Sequence, residues 1–198
     1  MAGCIMALDQ GTSGSAALLI GQDGEILGGA DRAVRLAYPR PGWVECDATH
    51  LLDATLQAAE QALARAALTW RDVAGIGIAN QRETTVVWDR CTGEAVGPAI
   101  VWQCRRTADL CAELARGGWG ERVRAKTGLP IDPYFSATKI RWLLDHAPDG
   151  QRRAEAGELL AGTVDSWLIW RLSGARAHLT DFTNASRTML FDIHTRCW

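Results

Sequence analysis

The start of the chain combines two apolar runs, residues 4–8 and 16–20, with the polar segment DQGTSG at residues 9–14 between them. Apolar runs of strand length that are joined by a glycine-containing turn are typical of a β-hairpin. A third strand is expected over about residues 25–35, after the turn sequence QDG. The chain is therefore predicted to begin as a meander of strands.

The turn between the first two strands carries groups that suit a phosphate. Gly11 and Gly14 permit positive φ, so several backbone N–H groups can converge on one anion. Thr12 and Ser13 add hydroxyl donors, and Asp9 at the strand end can hold Mg²⁺ directly or through water. The same residue types are ordinary turn formers, so a plain hairpin turn is the simpler interpretation of this segment alone.

A second polar segment, NQRETT at residues 80–85, follows an apolar run at residues 73–79 that is predicted to be a buried strand. Arg82 and Glu83 place a guanidinium and a carboxylate side by side, and these groups can donate to and accept from neighbouring hydroxyls. That chemistry suits a small polyol. A structural salt bridge between the two side chains is the alternative.

Hydrophobic side chains at helical spacing predict several helices later in the chain. Asp47 is a candidate N-cap for the first of them, over residues 48–67. Further elements are expected at residues 84–88 (a strand) and at residues 107–116, 140–147 and 163–172 (helices). The mixture predicts an α/β protein, and no internal repeat is visible.

The composition is that of an ordinary globular protein, with 22% charged and 47% hydrophobic residues. A formal net charge of −2 gives no reason to expect binding to nucleic acid or to anionic membranes. Neither a signal peptide nor an apolar stretch long enough to span a bilayer is visible, so a cytoplasmic location is expected. The six cysteines are then expected to be free thiols. Cys104 and Cys111, seven residues apart, suit one buried face of a helix.

Further motifs extend the two polar segments over the whole chain. They are YPRPGWVE at 38–45, IVWQCRRT at 100–107, TGLPIDPYFS at 127–136, GTVDSWLIW at 162–170 and TDFTNASRT at 180–188. In this set and order the chain resembles the FGGY carbohydrate kinases, and among them the members that phosphorylate glycerol.

The resemblance implies an α/β fold of the ribonuclease-H-like, actin-type ATPase class. In that fold a first hairpin turn supports the nucleotide phosphates, and substrate lies in a cleft between two domains. Residues 1–198 are then expected to be the FGGY N-terminal, substrate-binding domain, truncated at its C-terminal end. The second, nucleotide-binding domain would be absent.

The cofactors implied by the resemblance are ATP and Mg²⁺. Asp9 is expected to bind the metal through water, and Thr12, Ser13 and Gly14 to line the γ-phosphate, with Thr12 also near the phosphate of the product. The chain departs from the family at Ala16, where the family turn usually has an arginine that could pair with the nucleotide phosphates.

The substrate residues implied by the resemblance are Arg82, Glu83 and Tyr134, which would hold the hydroxyls of glycerol, and Trp102, which would close over its carbon backbone. A polyol needs fixed donors and acceptors together with an apolar wall, and these side chains supply both. With nine tryptophans in the chain, a purely structural role for Trp102 is the alternative.

The implied function is ATP-dependent phosphorylation of glycerol to sn-glycerol 3-phosphate, in an enzyme whose relatives are homodimers or homotetramers. The catalytic base is expected to be an aspartate beyond Trp198, so the chain alone is expected to be inactive. Two alternatives stay open: a related kinase for another polyol or a pentulose, and a catalytically dead remnant that binds ligand without turnover.

Overall fold

The computed structural model of the protein describes residues 3–198, which fall into two compact units. The first unit contains the described residues up to Leu36 together with Asp47–Gln81, and the second contains Ala37–Cys46 and Arg82–Trp198. The strands are β1 (Cys4–Gln10), β2 (Gly14–Ile20), β3 (Ile26–Ala33), β4 (Glu45–Cys46), β5 (Val73–Asn80), β6 (Thr85–Asp89), β7 (Ala99–Ile100) and β8 (Leu159–Thr163). The helices are α1 (Ala48–Arg65), α2 (Ala108–Arg116), α3 (Gly120–Thr127), α4 (Ser136–His146), α5 (Gly150–Glu155), α6 (Val164–Leu172) and α7 (Phe182–Ala185).

The first unit is a four-stranded sheet with the order β3-β2-β1-β5 and helix α1 packed on one face. Strands β1, β2 and β3 form the expected antiparallel meander, and β5 runs parallel to β1. Every second side chain of β1 and β2, including Met6, Leu8 and Leu19, is buried on one face of the sheet. The meander predicted from the apolar runs is therefore confirmed.

Helix α1 begins at Ala48, as the sequence predicted. The Asp47 carboxylate accepts hydrogen bonds from the backbone N–H groups of Thr49 at 2.7 Å and His50 at 3.3 Å, so the predicted N-cap is confirmed. Because parallel strands need a crossover connection, this helix also carries the chain back to the start of the sheet.

The prediction that residues 73–79 form a buried strand is half right. Strand β5 forms, but none of its residues is buried, and the Ile76 side chain is 42% exposed. The reason is its position: β5 is an edge strand of the described sheet and pairs only with β1. An apolar run of strand length predicts a strand without saying whether that strand lies at the centre or the edge of a sheet.

The second unit is built on a sheet with the order β4-β7-β6-β8, in which β6 pairs antiparallel with both β7 and β8. Its core holds Trp88 on β6 against Trp167 on α6, with the ring centroids 5.3 Å apart. The predicted strand at residues 84–88 and the three later helices are confirmed. The short helices α3 and α5 were not predicted, because their sequences GERVRAKT and GQRRAE are almost entirely polar.

The cysteines do not share one helix face as predicted. Cys111 lies in α2, but Cys104 lies in the turn before that helix, although both side chains are buried. All six cysteines are free thiols.

Over residues 3–198, no helix has both the length and the hydropathy required to cross a membrane.

Candidate active site

The turn after β1 is closed by main-chain hydrogen bonds. The N–H of Gly11 donates to the carbonyl of Gly14 at 2.8 Å, and the carbonyl of Ser13 accepts from the N–H of Val34 at 2.9 Å. The expectation that Gly11 and Gly14 use positive φ is wrong, since neither is among the glycines in that conformation. Close packing explains them better: a Cβ on Gly14 would lie 3.1 Å from the carbonyl oxygen of Arg32 on the neighbouring strand.

Two buried glutamines support this turn from within the first unit. The side-chain amide of Gln10 donates to the carbonyl of Gly11 at 2.7 Å. The amide of Gln81 donates to the Gln10 side chain at 3.0 Å and to the same Gly11 carbonyl at 3.1 Å. This role was not predicted, although Gln10 and Gln81 lie in the two polar segments DQGTSG and NQRETT. The two glutamines hold the Gly11 carbonyl in place. They therefore also restrict the directions in which the backbone N–H groups of the turn can point.

Asp9 is exposed at the end of β1. Its cross-strand neighbour on β2 is Ala16, and the residue opposite Ala16 on β3 is Asp31. The described residues contain no group of three or more side chains that could hold a metal ion. The single carboxylate of Asp9 fits a Mg²⁺ ion that keeps most of its ligands as water and phosphate oxygens, which is the usual manner for this ion. Thr12 is half-buried and Ser13 is exposed.

In the second unit, Glu83 and Arg82 have opposite environments. The Glu83 side chain is buried, and its backbone has φ of +65°, in the left-handed region. The Arg82 side chain is exposed. The ion-pair partner of Glu83 is Arg187, whose Nε lies 2.5 Å from Oε1 of Glu83. The salt bridge considered between the adjacent Arg82 and Glu83 is therefore not the one that the described residues form.

An aromatic wall stands beside this pair. The ring centroids of Trp102 and Tyr134 are 5.5 Å apart, and the Arg187 guanidinium lies 5.6 Å from the Tyr134 centroid and 5.0 Å from that of Phe135. The structure thus brings together three of the sequence-predicted substrate residues, Glu83, Trp102 and Tyr134. It adds Arg187, a residue of the motif at 180–188 for which no role was predicted.

A buried lysine, also missed from the sequence, lies under the same group. The Lys139 ammonium donates to the carbonyl of Glu83 at 2.9 Å and to the carbonyl of Tyr134 at 2.7 Å. Burial lowers the pKa of Lys139 to about 7, although the nearby Glu83 carboxylate acts in the opposite direction.

The sequence of the chain matches a known protein family. The FGGY family of carbohydrate kinases, N-terminal domain, matches residues 4–198. The chain belongs to this family. It is 55% identical to a glycerol kinase of Symbiobacterium thermophilum, over 99% of this chain and 39% of that protein. It is 50% identical to glycerol kinase 2 of Thermotoga maritima, over 98% of this chain and again 39% of the relative.

Solved structures give the same result for the fold. The structure of Plasmodium falciparum glycerol kinase with ADP superposes on 99% of this FGGY chain and 39% of its own, with a TM-score of 0.90 and 30% identity. A ligand-bound xylulose kinase of Lactobacillus acidophilus has a TM-score of 0.82 at 19% identity, which supports the fold alone. The fold is thus the actin-type, ribonuclease-H-like α/β class expected from the motifs, and the chain spans about two fifths of the length of the relatives it matches.

Proposed function

We propose that the protein to which this FGGY domain belongs transfers phosphate from ATP to glycerol and forms sn-glycerol 3-phosphate. The observation that carries the proposal is the buried Glu83 carboxylate, paired with Arg187 beside the ring of Tyr134. A carboxylate accepts hydrogen bonds from hydroxyls, guanidinium groups donate to them, and an aromatic wall covers the C–H edge of a polyol. Trp102 contributes the second ring of that wall.

Glycerol is preferred to a sugar as the acceptor because of the pattern of similarity. Glycerol kinases of several bacteria are 49–55% identical to the chain over 98–99% of its length. The xylulose and gluconate kinases of known structure share its fold at only 19–26% identity. In this proposal Arg82, Glu83 and Tyr134 bind the hydroxyls, and Trp102 lies over the carbon chain.

The turn in the first unit is assigned to the phosphates of ATP. Thr12, Ser13 and Gly14 would donate to the γ-phosphate, with Thr12 also near the product phosphate, and Asp9 would bind the accompanying Mg²⁺ through water. When bound, Mg²⁺ neutralises the charge that develops on the transferred phosphoryl group. The free thiols agree with a cytoplasmic location, which we include in the proposal.

The decisive experiment joins residues 1–198 to the remaining part of the Symbiobacterium thermophilum glycerol kinase and measures ADP release with glycerol, xylulose and gluconate. The parent enzyme serves as the control for folding and assay. We expect ATP- and glycerol-dependent turnover, with a higher kcat/KM for glycerol than for either sugar substrate. A preference for xylulose would assign the chain to the pentulose kinases. A folded chimera without turnover would assign it to ligand binding without catalysis.

A further inference from the structure

Lysine is rare in this chain. Of its 21 basic residues only Lys126 and Lys139 are lysines, and the rest are arginines. Lys126 is an ordinary surface residue, 56% exposed and paired with Asp192. Lys139 is fully buried, at 0% exposure. A compact ammonium fits between converging oxygens where the planar fork of arginine does not, and it can lose its proton near neutral pH, which arginine cannot.

The two hydrogen bonds of Lys139 join the segments that carry two of the proposed substrate residues. One carbonyl that accepts from it belongs to Glu83, and the other belongs to Tyr134. Both are main-chain oxygens, so Lys139 fixes the backbone from which the Glu83 and Tyr134 side chains extend.

The Glu83 carbonyl accepts hydrogen bonds from three side chains. It accepts from the Thr85 hydroxyl at 3.0 Å, from the Ser136 hydroxyl at 3.3 Å and from Lys139 at 2.9 Å. The left-handed backbone at Glu83 is unfavourable for a non-glycine residue, and such a conformation persists when surrounding groups fix it. Lys139 is the only charged donor of the three, and charge-assisted hydrogen bonds are the stronger ones.

The ionisable groups that act on the Lys139 ammonium are Glu83, Asp132, Cys104 and Cys111. Both carboxylates already have arginine partners, Arg187 for Glu83 and Arg105 for Asp132. Burial raises the pKa of the Cys111 thiol, which therefore carries no charge near neutral pH. The hydrogen-bond acceptors of the Lys139 ammonium are the carbonyls of Glu83 and Tyr134, and burial makes its proton easier to lose near neutral pH.

We propose that Lys139 is a positioning residue of the glycerol site, and that its protonated form holds Glu83 and Tyr134 in the geometry that binds the polyol. This inference rests on the proposed function. When the proton is lost, the neutral amine still donates to both carbonyls, but each bond weakens. Glycerol affinity is therefore expected to fall by about fivefold as the pH rises from 6 to 8.5.

The test is carried out on the 198-residue chain in two measurements. Lysine labelled with ¹³C at Cε gives only two resonances, and their titration follows the protonation of Lys139 with Lys126 as an internal reference. Glycerol Kd is then measured by NMR titration from pH 6 to 8.5 for the native chain, for Lys139→Met and Lys139→Gln, and for Lys126→Met as the matched control. Circular dichroism checks that each variant is folded.

We expect the Lys139 resonance to titrate near neutral pH and the native Kd to rise over the same interval. Lys139→Met should weaken glycerol binding about tenfold at pH 6 and remove the pH dependence. Lys139→Gln should lose the pH dependence with a smaller loss of affinity, because its amide still donates. Lys126→Met should behave like the native chain.

Two results would overturn the inference while leaving the proposed function intact: a native Kd that does not change with pH, or a folded Lys139→Met variant with native affinity and pH dependence. If Lys139→Met fails to fold, the native Kd profile and the lysine titration decide the question alone. Failure of the native chain to bind glycerol at pH 6, even at a concentration of about 100 mM, would contradict the glycerol site itself and the inference with it.

Discussion

Glu83 and Arg187 are 104 residues apart in the sequence, and the Nε of Arg187 lies 2.5 Å from Oε1 of Glu83. The Glu83 side chain is 4% exposed and that of Arg187 is 32% exposed, so the pair is buried at one end and open to solvent at the other. The guanidinium compensates the carboxylate for the hydration that it loses on burial. A polyol that approaches from solvent would therefore meet the Arg187 guanidinium first, and this group can donate to a hydroxyl.

Replacing this carboxylate should affect glycerol more than the fold. We expect Glu83→Gln to raise the KM of the chimera for glycerol by about 30-fold, because hydrogen bonds to a charged group contribute about 2 kcal/mol. The KM for ATP should change little. The matched control is Glu113→Gln on the exposed surface of α2. An equal rise in both KM values would point to a structural role for Glu83.

The proposed binding of ATP phosphates by the turn after β1 can be tested at Ala16, where the chain departs from its family. An arginine at position 16 would extend from the residue directly opposite Asp9 in the β1–β2 register. We expect Ala16→Arg to lower the KM of the chimera for ATP by about threefold to tenfold, through added charge beside the phosphates.

Leu18→Arg is the control for that variant, since Leu18 is exposed on the same strand and the same face. An effect of equal size in Leu18→Arg would mean that net charge alone is responsible. An unchanged KM for ATP in Ala16→Arg would remove this position from the phosphate site.

The N-cap of α1 offers a stability prediction that is independent of function. Asp47→Ala removes the acceptor for the N–H groups of Thr49 and His50 and should lower the free energy of unfolding by about 1 kcal/mol. Urea unfolding of the 198-residue chain measures the loss. Asp53→Ala, at an exposed position in the same helix, should change stability by much less.

The buried amine of Lys139 should also make stability depend on pH, with a sign opposite to its effect on glycerol. Its pKa is about 7 in the folded chain and 10.5 for an ordinary lysine, so between these values the unfolded chain binds the extra proton. Stability contributed by this residue therefore rises with pH across that window, by up to about 1.4 kcal/mol per pH unit. Urea unfolding at pH 7–9 should show a steeper rise in the native chain than in Lys139→Met. Parallel slopes would contradict the lowered pKa.

Local patterns in the sequence were enough to predict the first hairpin and the longer helices. The apolar runs around Asp9 predicted the hairpin, and Asp47 followed by helical spacing predicted α1. These signals work because caps and amphipathic spacing act between neighbours in sequence. The motifs that identify the family also contained Glu83, Trp102 and Tyr134, which lie together in the candidate site.

The parts that could not be predicted depend on contacts between distant segments. Arg187, the ion-pair partner of Glu83, is 104 residues away from it in the sequence. Lys139, which donates to the Glu83 carbonyl, is 56 residues away. Nothing in the composition of residues 73–79 distinguished an edge strand from a central one. For the same reason Gly14 suggested an unusual backbone angle, whereas the structure explains it by the close approach of the neighbouring strand.

Because the chain has only two lysines, their chemical reactivity can report on local opening of the structure. An amine-acylating reagent can reach Lys126, which is 56% exposed, at all times. It can reach Lys139, at 0% exposure, only when the surrounding segment opens. The ratio of acylation at the two lysines, located by fragmentation of the peptide in the mass spectrometer, therefore reports how often the interior around Glu83 becomes accessible, without any engineered label.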